Sequence, residues 1–220
     1  MKVSDRIACL SGFQLKCIAI LSMALDHTGA VLFPQEIWLR CAGRLAFPIF
    51  CFLIVEGFVH THDVYRYMAR LGVFALISEI PYDLAFRGVC LEFAYQNVFF
   101  TLLIGIAMMK LLSVTRLWPE KAAILILAMW LAVVLRTDYN FRGILLIFML
   151  YVFREQKCLA AAAGGLWNFL YTGTIQRYGV FSAVPMLLYN GKPGRRMKYF
   201  FYIFYPAHLL ILYGISRITG

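Results

Sequence analysis
A chain of 220 residues that is 62% hydrophobic and only 15% charged, with a mean hydropathy of +0.76, is too apolar for a soluble globular domain, where about a quarter of residues are charged. It reads as an integral membrane protein, and its long continuous apolar runs select spanning helices over a closed barrel. The net charge of +10 would suggest nucleic acid in a soluble protein; here basic residues collect in cytoplasmic loops, so no nucleic-acid partner is expected.

Hydropathy predicts apolar segments near residues 15–33, 43–60, 66–86, 97–114, 120–136, 143–153, 158–172, 176–190 and 198–217. The first lacks a small-residue cleavage site and reads as a retained helix. Segments 143–153 and 158–172 are shorter than the roughly 20 residues of a straight span, so they form either two thin spans or one broken one. With the N-terminus inside, basic residues favour the inside segments by about two to one. The expected fold is all-α: a polytopic transmembrane helix bundle of about nine segments, N-terminus cytoplasmic, forming a single domain over residues 1–220. That places it, multi-pass, in the inner (cytoplasmic) membrane with the lipid bilayer as its first partner.

Ionisable side chains at membrane depth are costly and mark function. His27 lies roughly 16 Å beyond Lys16 at about 1.5 Å per residue, near mid-bilayer. Asp26 and His27 are adjacent, so they point about 100° apart and cannot form a simple dyad; the group that orients His27 comes from another helix. Glu56, His60 and His62 sit at the inner end of the second segment without a third ligand at matching spacing, so no metal is expected. Glu79 and Asp83 share a helix face across Pro81, where paired carboxylates supply either a general acid or base, or partners for Arg44, Arg87 or Arg136. Gln96 and Asn97 suit a helix cap or a polar contact at the outer mouth. Asp138 lies between Arg136 and Arg142. "GKPGRR" (191–196) is either a positive-inside anchor or part of an anion site, and His208 after Pro206 either bonds between helices or lines a cavity. The six cysteines show no CxxC spacing and read as small buried hydrophobes. The aromatics read as belts and packing.

The segments "FQLKCIAILSMALDHTGAV", "RLAFPIFCFLIVEGFVHTHDVYRYMARLGVFALISEIPYDLAF", "QNVFFTLLIG", "TDYNFRGILLI" and "YFFYIFYPAHLL" together resemble the TraX family, over about residues 10 to 214. That family is linked to N-terminal acetylation of conjugative pilin. More weakly, "LKCIAILSMALDH" is similar to the first helix of membrane acyltransferases of the acyltransferase-3 and heparan acetyltransferase kinds. This chain departs from them in its short length and in the Asp before the His.

The resemblance implies an integral membrane acyltransferase that uses acetyl-CoA as acyl donor and a peptide, a pilin N-terminus or an envelope glycan as acceptor. It carries over to His27 as the catalytic residue and Lys16 as a cytoplasmic-side basic residue, and Asp26, Glu79, Asp83 or Asp138 would set the tautomer of His27 and hold the acceptor. Lys16, Arg66, Arg70, Arg195, Arg196 and Lys198 would hold the donor phosphates; Arg44, Asn97, Asp138 and His208 would face the acceptor. The rival expectations are a proton-coupled transporter, for which no internal symmetry is found, and a non-catalytic assembly partner for a secreted peptide. A homo-oligomer is compatible with all of these.

Overall fold
Ser11 opens the first helix, α1 (Gly12–Val31), with a reciprocal cap. Its hydroxyl accepts from the Gln14 N–H, while Gln14 Oε1 accepts from the Ser11 N–H at 2.8 Å, so two donors left over at the helix start are satisfied. A computed structural model describes residues 8–170, 174–195 and 197–219. Next come α2 (Ile37–Gly43), α3 (Ala46–His60), α4 (Val64–Arg87), α5 (Val98–Val114), α6 (Trp118–Val134), α7 (Asn140–Val152) and α8 (Lys157–Phe169). A 3₁₀ turn (Ile175–Ser182) then runs into α9 (Ala183–Leu187), and α10 (Lys198–Thr219) closes the chain. Among the described residues there is no sheet, only two isolated bridges.

Those bridges tie loops together at opposite ends. At the near end, the Asn190 N–H donates to the Leu10 carbonyl and the Gly12 N–H to the Lys192 carbonyl, which fastens the start of α1 to the segment before α10. At the far end, the Asp138 N–H donates to the Gln96 carbonyl and the Gln96 N–H to the Arg136 carbonyl. Fully buried Leu15, Ile49, Ile106, Met109, Ile147 and Leu209 fill the space between. Small residues let helices approach closely: a Cβ on Gly143 would stand 2.8 Å from Thr101 and 2.9 Å from Phe47.

Ile37–His60 and Tyr199–Ile218 are long and apolar enough to cross a membrane. The outer faces of other helices are apolar as well, with Val73, Leu76, Ile77 and Ile80 exposed on α4 and Ile126, Leu127 and Trp130 exposed on α6.

Several expectations are corrected in detail. Of the two readings left open for 143–172, the described residues up to 170 form two helices, α7 and α8, separated by a turn at 153–156. The second apolar segment is preceded by the separate α2, and Arg44 sits in the turn between α2 and α3. The 176–190 segment is a 3₁₀ turn and a five-residue helix, because Gly179 packs where a Cβ would meet Asn168 Oδ1 at 2.7 Å and Pro185 removes a backbone donor. All six thiols are free, but only Cys51 is buried; Cys9, Cys90 and Cys158 lie at loops or helix ends and are exposed.

Candidate active site
Two neighbouring residues of α1 face opposite partners. Asp26 points to α2, where Arg40 Nε donates to Oδ1 at 2.8 Å and an Arg44 Nη donates to Oδ2. The close approach is possible because Gly43 has no side chain: a Cβ there would collide with Asp26. Ser22 Oγ adds a bond to the Ala42 carbonyl at 2.7 Å. Arg44 continues to Gln176 Oε1 at 3.5 Å, and Gln176 Nε2 donates to Asn168 Oδ1 at 2.8 Å. Asp26 is thus the hub of a polar network that joins α1 and α2 to the 3₁₀ turn and α8.

His27 turns the other way, towards α10. Its Nδ1 lies 2.7 Å from Nε2 of His208, and His208 Nδ1 lies 2.8 Å from the Phe204 carbonyl. The two rings are 8° from parallel with centroids 4.9 Å apart. That separation exceeds the N···N distance by about two ring radii, so the rings meet edge to edge in one plane, as a linear hydrogen bond requires. Phe86 and Tyr205 pack edge-on against His27 at 5.2 and 5.9 Å. The sequence leads one to expect an acid facing His27 from another helix; the structure puts a histidine on its Nδ1.

The acids expected there are engaged elsewhere. Buried Glu79 accepts from the Asn97 N–H at 2.9 Å and from the Asn97 side-chain amide. Asn97 also caps α5, its Oδ1 accepting from the Phe99 N–H at 3.0 Å, and donates to the Ala75 carbonyl. Asp83 accepts from the Glu92 N–H at 2.6 Å. Glu79 and Asp83 therefore anchor the α4–α5 connection, and Arg87 pairs with Glu92 at 3.9 Å instead of with either of them. Asp138 is exposed in the α6–α7 loop. The surrounding protein still withholds enough water to push its carboxyl up to about 6; Arg44 opposes that shift, Asp26 adds to it, and Arg40 opposes it. The same charges thus bear on Asp138 and on the Asp26 network.

A cavity of about 270 Å³ runs between α1, α3, α4, α5 and α10. Lys16, Thr61 and Arg70 line it towards the near end, Phe50 and Leu102 along its wall, and Tyr205 beside His27. Arg70 Nε is buried with no hydrogen-bond partner. Arg66 lies outside the cavity, exposed and paired with Asp63 at 3.0 Å, and Arg195 is exposed without lining it. Arg196 and the side chain of Lys198 lie outside the described residues. Lys192 of "GKPGRR" lines a second cleft with Arg154, Lys157 and Glu56. His60 Nδ1 is 3.9 Å from Glu56 at an exposed helix end, and no metal-holding cluster is found among the described residues.

Sequence reasoning did not single out Arg40, Tyr205 or Gln176 for this site. Arg40 was recoverable, since "RCAGR" puts two arginines four apart on one helical face opposite the acid of α1.

The family described as TraX protein matches residues 11–216. The probable fimbrial assembly protein FimC, serogroup H1, of Dichelobacter nodosus is 31% identical, with 92% of this chain aligned to 94% of that one. The protein TraX of Escherichia coli K12 is 27% identical over 90% of this chain and 84% of its own length. No solved structure gives a significant match. The chain belongs to the TraX family.

Proposed function
We propose that the chain is a multi-pass membrane acyltransferase. It moves an acetyl or short acyl group from acyl-CoA to an amine or hydroxyl of an exported peptide, a pilin N-terminus or an envelope glycan. One observation carries this reading: Tyr205 lines the cavity that Lys16 and Arg70 open, and it packs directly on His27.

The residues fit an acyl-CoA donor. Lys16 and Arg70 supply positive charge for its phosphates, and the unpaired buried Arg70 Nε is a donor awaiting an acceptor. The apolar wall formed by Phe50, Leu53 and Leu102 suits a thioester arm. His27 acts as general base. It takes a proton from the acceptor as the acceptor nitrogen or oxygen bonds to the acyl carbon. The carbon–sulfur bond breaks, and His27 returns the proton to the departing thiolate. The products are the acylated acceptor and the free thiol. Asp138, exposed at the far end, is positioned to meet an acceptor that arrives from that side. The name of the FimC relative, a probable fimbrial assembly protein, supports an exported peptide as the acceptor class.

Multi-pass insertion is supported by the apolar outer faces of α4 and α6 together with the two long apolar stretches, Ile37–His60 and Tyr199–Ile218. The reading is tested by incubating the full chain in lipid nanodiscs with acetyl-CoA labelled in the acetyl group. Transfer of label, or release of thiol, supports it. Absence of both, with no donor binding, overturns it.

A further inference from the structure
We infer that His208 is a positioning residue that fixes His27 in one tautomer and so makes Nε2 of His27 the proton-accepting atom. The inference rests on the acyltransferase reading for its consequence but not for its geometry.

The argument is one of donors and acceptors. A backbone carbonyl only accepts, so His208 Nδ1, 2.8 Å from the Phe204 carbonyl, carries a hydrogen. A neutral imidazole has one N–H, so His208 Nε2 is a bare lone pair. Nε2 lies 2.7 Å from His27 Nδ1, and the two rings share a plane. One of two nitrogens in such a contact must donate, and it is His27 Nδ1. The hydrogen of neutral His27 is thereby placed on Nδ1, and Nε2 is left bare, with no hydrogen-bond partner among the described residues.

Isolated histidine side chains favour the opposite tautomer, with the hydrogen on Nε2, which cannot accept a proton there. The chain Phe204 carbonyl–His208–His27 reverses that preference. It occupies the place that a carboxylate holds in a serine-protease triad, with an imidazole and a backbone carbonyl instead. Asp26 is not available for this role, because Arg40 and Arg44 take both of its oxygens. Pro206, two residues before His208, makes no bond to the ring; its part is limited to the local course of α10.

Two measurements test this. Nitrogen-15 NMR of the full chain in detergent, labelled at its 4 histidines and assigned with H27A, reads the tautomer directly. The expected result at alkaline pH is a protonated Nδ1 and a bare Nε2 on His27, moving towards the Nε2–H form in H208A. A bare Nδ1 in the unaltered protein, or no change in H208A, overturns the inference. The second measurement is rescue. The amide oxygen of H208Q reaches the position of Nε2 and accepts from His27, whereas the shorter side chain of H208N does not. H208Q should hold transfer within a few-fold, and H208A and H208N should lose about 100-fold, the scale of general-base catalysis. Equal loss in H208Q and H208N overturns the positioning role. If the unaltered protein neither transfers nor hydrolyses acetyl-CoA, the acyltransferase reading fails, and the tautomer measurement still decides the inference.

Discussion
His27 and His208 are 181 positions apart in the chain and 2.7 Å apart in space. Their contact joins α1 to α10, the first and last helices described, and the cavity runs between the same two helices and their neighbours. Tyr205, one turn before His208, lines that cavity and touches His27, so α10 contributes both a wall of the cavity and the hydrogen-bond partner of His27.

The Asp26 network should prove structural before it proves catalytic. Asp26 and Arg44 side chains are only 13% and 12% exposed, so removing one charge strands the other. Asp26→Asn should destabilise the protein by about 3–5 kcal/mol, the range for breaking a buried ion pair. Replacing both residues with leucine should cost less than the single change. Thermal unfolding in detergent reads the difference, and a neutral Asp26→Asn would contradict the network's role.

Gly43 and Gly72 offer a matched pair of helix glycines. A Cβ at Gly43 collides with Asp26, whereas at Gly72 the nearest atom, Leu103 Cδ2, is 3.7 Å away. Gly43→Ala should therefore lose about 1–3 kcal/mol through overpacking. Gly72→Ala should gain up to about 1 kcal/mol from helix propensity. Unfolding midpoints of the two variants check the contrast.

The cations proposed to hold the donor separate into two groups. Lys16 and Arg70 line the cavity, whereas Arg66 pairs with Asp63 at the surface. Lys16→Met and Arg70→Met should each raise KM for acetyl-CoA about tenfold, equivalent to about 1.4 kcal/mol. Arg66→Ala and Arg195→Ala should leave KM unchanged. Steady-state kinetics with varied donor distinguishes this pattern from a diffuse basic surface.

Asp138 links the site to pH. Its carboxyl sits at about 6 in the folded protein against an ordinary 3.8, so the folded state binds the proton more tightly than the unfolded state does. Its ionised form therefore costs stability. The cost is fully present above pH 6, shrinks as pH falls from there, and is gone below pH 3.8. Asp138→Asn should raise the melting temperature at pH 8 and have no effect near pH 3. Melting curves at the two pH values read the sign.

Much of the fold was legible in the sequence, because an apolar helix announces itself by hydropathy alone. The break between α7 and α8 follows the polar "REQK", and the N-cap of α5 follows "QN". The irregular 175–187 stretch was not legible, since its apolar residues pass as a span and only the packing of Gly179 on Asn168 shows why it is not one. At the site, helix geometry correctly denied Asp26 and His27 a direct dyad. It could not name their partners. Those depend on which helices adjoin α1, and no local pattern links "DH" at residue 26 to "AH" at residue 207. The acids proposed for His27 were plausible by residue type, but Glu79 and Asp83 are consumed by backbone N–H groups of a loop whose course the sequence does not specify.

The account stands most directly on the fate of acetyl-CoA with and without His27. Full-length chain and its His27→Ala variant, both folded by melting curve and reconstituted in the same lipid, are given labelled acetyl-CoA and an amine-bearing peptide while thiol release is followed. The account predicts thiol release and labelled peptide from the unaltered chain, and a loss of at least about 100-fold in the variant. Equal turnover in both would contradict it.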